Sequence, residues 1–366
     1  MHICFVAPHA WPVFSADSRI AQVGGAEVQQ SVLARLLAAR GHRVSMICLD
    51  YGQPDRSVID GVTVHKAFAP EAGAPVLRFV HPRLTSMWRA MREVDADIYY
   101  CRSASMWVGL LAEFCRRYGR RSIYAAASDA DFVPRLGGQI RYARDRWLYR
   151  RGLARVDRIV AQNELQRATC RATYGRDAVV IPSCYQPLRS PGAAIASRDC
   201  VLWVATVRAG KRPELFLELA ARLPHRRFVM VGGPERGDQA LFERTRQAAA
   251  RLGNVEFTGF LPLAEVEKRL DNARVLVNTS EYEGMPNTFL QAWAHGVPTL
   301  ATVDAGTPVH RRFRDVDAGA GEIEALFRDP VRWQRASGVC REHFERNHSG
   351  AETLARYGQL FEGLAA

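Results

Sequence analysis

The chain has 366 residues, 48% of them hydrophobic, which is more than one hydrophobic core usually covers and argues for two domains rather than disorder. Its eight cysteines show no CxxC pair or zinc-site spacing, no apolar run reaches the roughly 18 residues of a spanning helix, and the opening MHICFVAP lacks the basic start and cleavage site of a signal peptide. A net charge of +12, carried mostly by arginine, points to anionic company: phosphorylated ligands, a membrane surface or nucleic acid.

Taken in chain order, apolar runs of strand length alternate with helical patterns. Ile3 to Ala7 reads as a strand, GGAEVQQSVLARLLAARGH as a helix stopped by Gly41, and Val44 to Leu49 as the next strand. Further strands are expected at Ile98 to Cys101, Ser122 to Ala126, Arg158 to Ala161 and Val179 to Ile181. Between 183 and 200 the pattern lapses into a Pro-, Gly- and Ser-rich connector. A second series follows, with strands at Val201 to Val207, Arg227 to Val231, Val255 to Phe257, Val275 to Asn278 and Thr299 to Thr302. Its helices fall near 213–223, 238–252, 263–271 and 287–295, and the tail after Gly338 reads as helical. The expectation is an α/β chain of two Rossmann-like, doubly wound parallel-sheet domains. In such sheets ligands sit beyond the carboxyl ends of strands, so the loops there hold the candidates.

Three loops stand out. After the strand ending at Asn278 come Glu281, Glu283 and Gly284, then a helix with Pro286 at its head, whose free N–H groups suit an anion. Along that helix Asn287, Gln291 and His295 form an uncharged polar stripe opposite Phe289, Leu290 and Trp293, a pattern that leans toward a cleft over a solvated face. After Val207 come Arg208, Lys211 and Arg212, three cations suited to a diphosphate or, equally on that stretch alone, a solvated basic loop. Gly24 and Gly25 before the first long helix would let backbone approach a phosphate, but lack the dinucleotide GxGxxG pattern.

The succession GGAE, RGHRV, KRPELF, FVMVGG, FTGF and SEYEGMPNTFLQAWAHGVP resembles the family-4 retaining glycosyltransferases of the GT-B fold, most of all bacterial members that build cell-surface polysaccharides. The resemblance implies an acceptor-binding domain over 1–186, a nucleotide-sugar domain over 187–340, and a last helix, 341–366, crossing back to the first. The two domains would face each other across a cleft. It implies that Glu283 holds donor-sugar hydroxyls, that backbone N–H groups between Met285 and Phe289, those of Met285, Asn287, Thr288 and Phe289, take the diphosphate with Gly284 and Pro286 in the same donor-binding turn, and that Gln291 meets the ribose. Gly259 and Phe260 would lie by the base, Lys211 would neutralise the leaving diphosphate, and Gly24 and Gly25 would close from the other domain. The donor would be a nucleotide-diphosphate sugar and the acceptor a saccharide or lipid-linked hydroxyl, with no metal or other cofactor.

The chain departs from the family twice. Gln291 stands where the signature has a second Glu, and Thr206 where an Arg is common; if 204–208 is extended, Thr206 and Arg208 share a face and Arg208 supplies the guanidinium. Asp129, beyond the strand SIYAAA, is an acceptor-side candidate with a helix cap as the alternative; His9 and Arg102, each beyond a strand, are acceptor-side candidates too, Arg102 through a phosphate. The arginine- and aromatic-bearing stretches 76–92 and 135–158 suit an anionic membrane surface, the expectation being a cytoplasmic protein peripheral to the inner face of a membrane. Nucleic acid fits less well, for want of a sheet platform or recognition helix. The rival readings are a non-catalytic sugar-nucleotide-binding paralogue and a GT-B nucleotide-sugar epimerase.

Overall fold

The computed structural model describes residues 1–15, 24–75, 77–133, 140–188, 197–235, 237–281, 283 and 285–365. They fall into two units: unit 1 runs to Cys184 and resumes at Gly350, and unit 2 is Tyr185–Ser349.

In unit 1 the apolar runs become strands β1 (His2–Val6), β2 (Arg43–Cys48), β3 (Arg56–Ile59), β4 (Val62–Lys66), β5 (Ile98–Arg102), β6 (Arg121–Ala125), β7 (Arg158–Ala161) and β8 (Val179–Val180). Their order is β3-β4-β2-β1-β5-β6-β7-β8, all parallel except the β3–β4 hairpin at the edge. The period of two in each strand feeds two cores: Cys4 and Val6 of β1 pack on one side, Ile3 and Phe5 on the other. On the first side lie α3 (Thr85–Val94), α4 (Trp107–Tyr118), α5 (Ala143–Leu153) and α6 (Glu164–Tyr174). The second side is covered by α1 (Trp11–Ser15), α2 (Gly25–Ala39) and the last helix, Gly350–Ala365. That last helix belongs wholly to unit 1: Leu360, Phe361 and Leu364 join Leu33 and Leu37 of α2, and the Tyr357 and Tyr100 hydroxyls are 3.2 Å apart.

Unit 2 repeats the pattern with β9 (Cys200–Val204), α7 (Pro213–Arg222), β10 (Arg227–Val231), α8 (Gln239–Ala250), β11 (Val255–Gly259), α9 (Leu263–Asn272), β12 (Ala273–Asn278), α10 (Asn287–Ala294), β13 (Thr299–Ala301), β14 (Arg311–Arg312), α11 (Val316–Arg328) and α12 (Pro330–Asn347). The sheet is parallel in the order β11-β10-β9-β12-β13-β14. Residues 341–347 thus finish α12 inside unit 2, and only the chain from Gly350 onward lies in unit 1.

The structure departs from the expected elements at a few places. β9 stops at Val204, three residues short of Val207, which instead forms an isolated bridge with Pro234. The β3–β4 hairpin went unassigned because its strands are short and half exposed, yet its turn is Asp60-Gly61, both at positive φ (49° and 77°), the conformation a two-residue hairpin loop requires. The eight cysteines are all buried and free. Among the described residues no helix is long and apolar enough to cross a membrane.

Candidate active site

In the sheet of unit 2 the chain leaves β9 toward β10 on one side and returns with β12 on the other, so the strand order reverses between these two neighbours. Such a switch point opens a crevice beyond the carboxyl ends of the two strands. Lys211 lies in the loop after β9 and Glu283 in the loop after β12, 72 residues apart in sequence, and the Lys211 ammonium donates to Glu283 Oε1. Both side chains are mostly buried, at 16% and 15% exposure, so each charge depends on the other for compensation.

The two loops are held in register by bonds that leave the charged pair little freedom. The Thr279 hydroxyl donates to the Lys211 carbonyl at 2.6 Å and accepts from the Trp203 indole at 3.0 Å. Arg212 Nε donates to the Thr279 carbonyl at 2.8 Å, and the Glu281 amide to the Gly210 carbonyl at 3.0 Å. Arg212 holds this pose with φ of 43°, a left-handed backbone at the head of α7. The Glu283 carboxylate has further donors on the same oxygen: Ser280 Oγ at 2.7 Å and Asn278 Nδ2 at 3.4 Å. Thr302 in turn donates to the Ser280 carbonyl at 2.7 Å, tying the loop to the end of β13.

Next to Glu283, α10 starts at Asn287 with Pro286 in extended backbone as its cap residue, which has no side-chain group to bond the helix amides. Met285, Asn287 and Thr288 are half-buried and Phe289 is fully buried, packing at 5.6 Å on Trp293. Gly284 lies outside the described residues. Gln291 is buried on this helix, but His295 does not continue its stripe into a cleft: its Nδ1 meets Asp271 at 2.8 Å, its carbonyl accepts from Arg198, and its ring is fully buried. Gly259 ends β11 with φ of 72°, and Phe260, 38% exposed, follows it. Gly233 belongs beside them: a Cβ there would stand 3.2 Å from that of Phe260. Thr206 and Arg208 are both exposed, on either side of buried Val207, in a loop beyond the end of β9. Arg208 is 3.8 Å from Glu235, beyond hydrogen-bonding reach.

Sequence reasoning missed Asn278, Thr279 and Ser280 as parts that hold the pair, and read Arg212 as a diphosphate cation where the structure bonds it to the Thr279 carbonyl. The signal was available in the polar run NTS immediately beyond an apolar strand.

Unit 1 has its own switch point, between β1 and β5. A pocket of about 330 Å³ there is lined by His9, Arg83, Ser105, Trp107, Arg141 and Tyr142 among others, and His9 Nδ1 is 2.9 Å from the Tyr51 hydroxyl. Arg102 and Asp129 are not among its lining residues. Arg102 donates to Ser183 Oγ at 2.9 Å while its Nε is buried without a partner. Asp129 opens a short 3-10 turn capped by Ser128 and accepts from Gln166 Nε2 at 2.8 Å, as a local structural acid does. Its neighbour Asp131 is buried, bonded to the Tyr124 hydroxyl and the Ala127 amide, and burial pushes its carboxyl above the usual carboxylate range. Gly24 and Gly25 stand at the head of α2 in this same unit. Among the described residues no group of three or more His, Cys, Asp or Glu side chains is placed to hold a metal ion.

The comparisons agree with this division. Residues 23–186 match the model of "Glycosyltransferase Family 4", and residues 198–329 that of "Glycosyl transferases group 1". The fold is therefore GT-B, and both halves of the chain carry glycosyltransferase domains. The chain is 28% identical over 230 residues to a D-inositol 3-phosphate glycosyltransferase of Mycobacterium sp. (strain KMS), an alignment covering 56% of this chain and 52% of that one. It thus spans about half the length of that relative. Among solved structures, sucrose-phosphate synthase from Thermosynechococcus elongatus superposes with a TM-score of 0.79 at 18% identity, covering 100% of this chain and 99% of the other. Anabaena Alr3699/HepE in complex with UDP and glucose gives 0.73 at 14% identity, covering 100% and 99%.

Proposed function

We propose that the chain transfers a sugar from a nucleoside-diphosphate sugar to a hydroxyl of a saccharide or lipid-linked acceptor, with retention at the anomeric carbon. The observation that carries this reading is the meeting of Lys211 and Glu283 at the switch point of unit 2, beside the open N-terminus of α10. Breaking a sugar–phosphate bond builds negative charge on the diphosphate and positive charge on the anomeric carbon. A preorganised ammonium and aligned helix amides stabilise the first without reorganising when the bond breaks. Glu283 has a second carboxylate oxygen for donor-sugar hydroxyls while the first fixes Lys211. Gln291 accepts from one ribose hydroxyl and donates to the other, and Gly233, Gly259 and Phe260 offer a flat, close wall for the base. UDP is bound in the Anabaena relative, which makes uridine diphosphate the first nucleotide to try here.

In retention without a covalent intermediate, the acceptor hydroxyl attacks from the leaving-group side. The C–O bond to the diphosphate breaks as the new glycosidic bond forms, and the departing phosphate oxygen takes the hydroxyl proton. No protein base and no metal is called for in this scheme. We assign the acceptor side to unit 1, with His9 at the pocket beyond β1, and the reaction to the cytoplasm, in the assembly of bacterial surface polysaccharide. A non-catalytic reading draws on Thr206, which leaves the position of a common family arginine without charge.

The test is product analysis with a panel of UDP-sugars and saccharide acceptors, reading the anomeric coupling by proton NMR. An α-linked product from an α-configured donor is expected. A β-linked product would overturn retention, an epimerised nucleotide sugar would identify an epimerase, and nucleotide binding with no turnover on any acceptor would favour the non-catalytic reading.

A further inference from the structure

The pocket lined by His9 lies beyond the carboxyl ends of four neighbouring strands of unit 1, β4, β2, β1 and β5, which reach it through Phe68, Leu49, His9 and Ala104. Its volume of about 330 Å³ is at the low end of the roughly 300–1,000 Å³ of small-molecule sites, room for a sugar unit rather than an extended chain. The backbone is strained where β5 runs into it. Ser103 has φ of 76°, a left-handed conformation that serine seldom adopts, and turns the chain into the 104–107 wall.

What sets this pocket apart is the kind of polar group in its lining. Arg83, immediately ahead of α3, and Arg141, ahead of α5, bring two guanidiniums, and neither has a carboxylate partner among the described residues. The acid of the lining, Asp145, already accepts from Arg144 Nε at 3.1 Å and is 15% exposed. His9 Nδ1 is 2.9 Å from the Tyr51 hydroxyl, which has no other acceptor among the described residues; that O–H donates to Nδ1 and leaves the proton of the neutral imidazole on Nε2. The Trp107 indole N–H also lacks an acceptor among the described residues, and α4 starts at Trp107 with no side-chain cap on its amides.

Such a lining offers donors almost throughout. A neutral sugar donates from each hydroxyl as well as accepting, so it would find few acceptors here and leave both guanidiniums uncompensated. A carboxylate or phosphate only accepts, carries the opposite charge and takes several donors at once, and the planar fork of arginine meets it bidentately. The apolar part of the wall suits the rest of a sugar: Phe68 and Trp107, with ring centroids 6.4 Å apart, supply surface for the C–H face of a pyranose. Arg102 takes no part, being bonded to Ser183 outside the lining.

We propose that the pocket of His9 takes an anionic saccharide, a sugar unit bearing a carboxylate or a phosphate ester, held through that group by Arg83 and Arg141 with its ring against Trp107. The acceptor of the transfer is then an acidic sugar unit, a step that rests on the assignment of the acceptor to unit 1.

The test is isothermal titration calorimetry of the full chain, without donor, against methyl β-D-glucuronide, glucose 6-phosphate, inorganic phosphate and methyl β-D-glucoside. At least one charged sugar should bind about ten-fold more tightly than the neutral glucoside and than inorganic phosphate, and the better of the two identifies the anionic group. Arg83→Gln and Arg141→Gln should each weaken the charged sugar about ten-fold and leave the glucoside unchanged. Trp107→Ala, which keeps both cations, should also weaken the charged sugar. Far-ultraviolet circular dichroism and melting temperature establish that each variant is folded. No turnover enters the measurement, so binding can fail while transfer to a neutral sugar stands, and can hold while transfer fails. Equal binding of charged and neutral sugars, binding of neither, inorganic phosphate held as tightly as the charged sugars, or an affinity lost with Lys211→Ala but not with the two arginine variants would each overturn the proposal.

Discussion

Replacing Lys211 by alanine is expected to lower kcat by about 10²–10³-fold, the loss found when one preorganised donor to a developing anion is removed. The expectation follows from placement. The Lys211 ammonium is held by Glu283, its own carbonyl is fastened to Thr279, and the loop after β12 is fastened to the loop after β9 by the Glu281 amide. An ammonium so fixed loses little freedom when a diphosphate arrives, so its full interaction appears in the transition state. Among the described residues the variant leaves the Glu283 carboxylate with Ser280 and Asn278 as donors, and some loss of stability should accompany the loss of rate. Lys211→Arg separates the two effects: it restores a cation beside Glu283 and should recover the melting temperature more fully than the rate, because a planar guanidinium does not occupy the same point. Steady-state kinetics with melting curves on all three proteins makes the comparison. A folded Lys211→Ala enzyme with near-normal kcat would remove lysine from the chemistry.

Replacing Arg208 by alanine is expected to cut turnover almost as deeply, by about 10²-fold. Arg208 and Thr206 are both exposed on either side of buried Val207, and Glu235 lies 3.8 Å from the Arg208 guanidinium with both groups about half exposed. A pair of that kind contributes little, about 0–1 kcal/mol, so the guanidinium is released cheaply to a diphosphate oxygen. Restoring the family residue tests the same idea from the other side. Thr206→Arg in the Arg208→Ala background should recover much of the lost rate, while unchanged turnover in Arg208→Ala itself would show that no guanidinium is needed there.

The alternation of strand and helix was legible because parallel strands covered on both faces read as short apolar runs, and β1, β7 and β10 show it most plainly. Harder to read were elements whose side chains face water on one side, such as β3 and β4, and the two-residue β14, too short to carry any period. Lys211 and Glu283 were legible as separate loop residues; the polar run NTS marks a special loop, but the bonds of Thr279 with Arg212 and Lys211 span 67 and 68 residues, so the partners are not readable from it. His295 illustrates the opposite case. Its spacing from Asn287 and Gln291 suggested a cleft, but a partner on another helix, Asp271, takes its ring into the core, and no helical period reports such a partner. Asp129 lies beyond a strand and accepts from Gln166 of α6, a partner 37 residues away that its loop position does not announce.

The central claim, that the crevice beyond β9 and β12 grips a pyrophosphate, is tested most directly by melting the protein with UDP, UMP and uridine in parallel. The account predicts a rise with UDP that approaches about 2.7 kcal/mol of added stability at a hundred times the dissociation constant, a much smaller rise with UMP, and none with uridine. Failure of UDP and of every other nucleoside diphosphate to raise the melting temperature, or an equal rise with UMP, would contradict it.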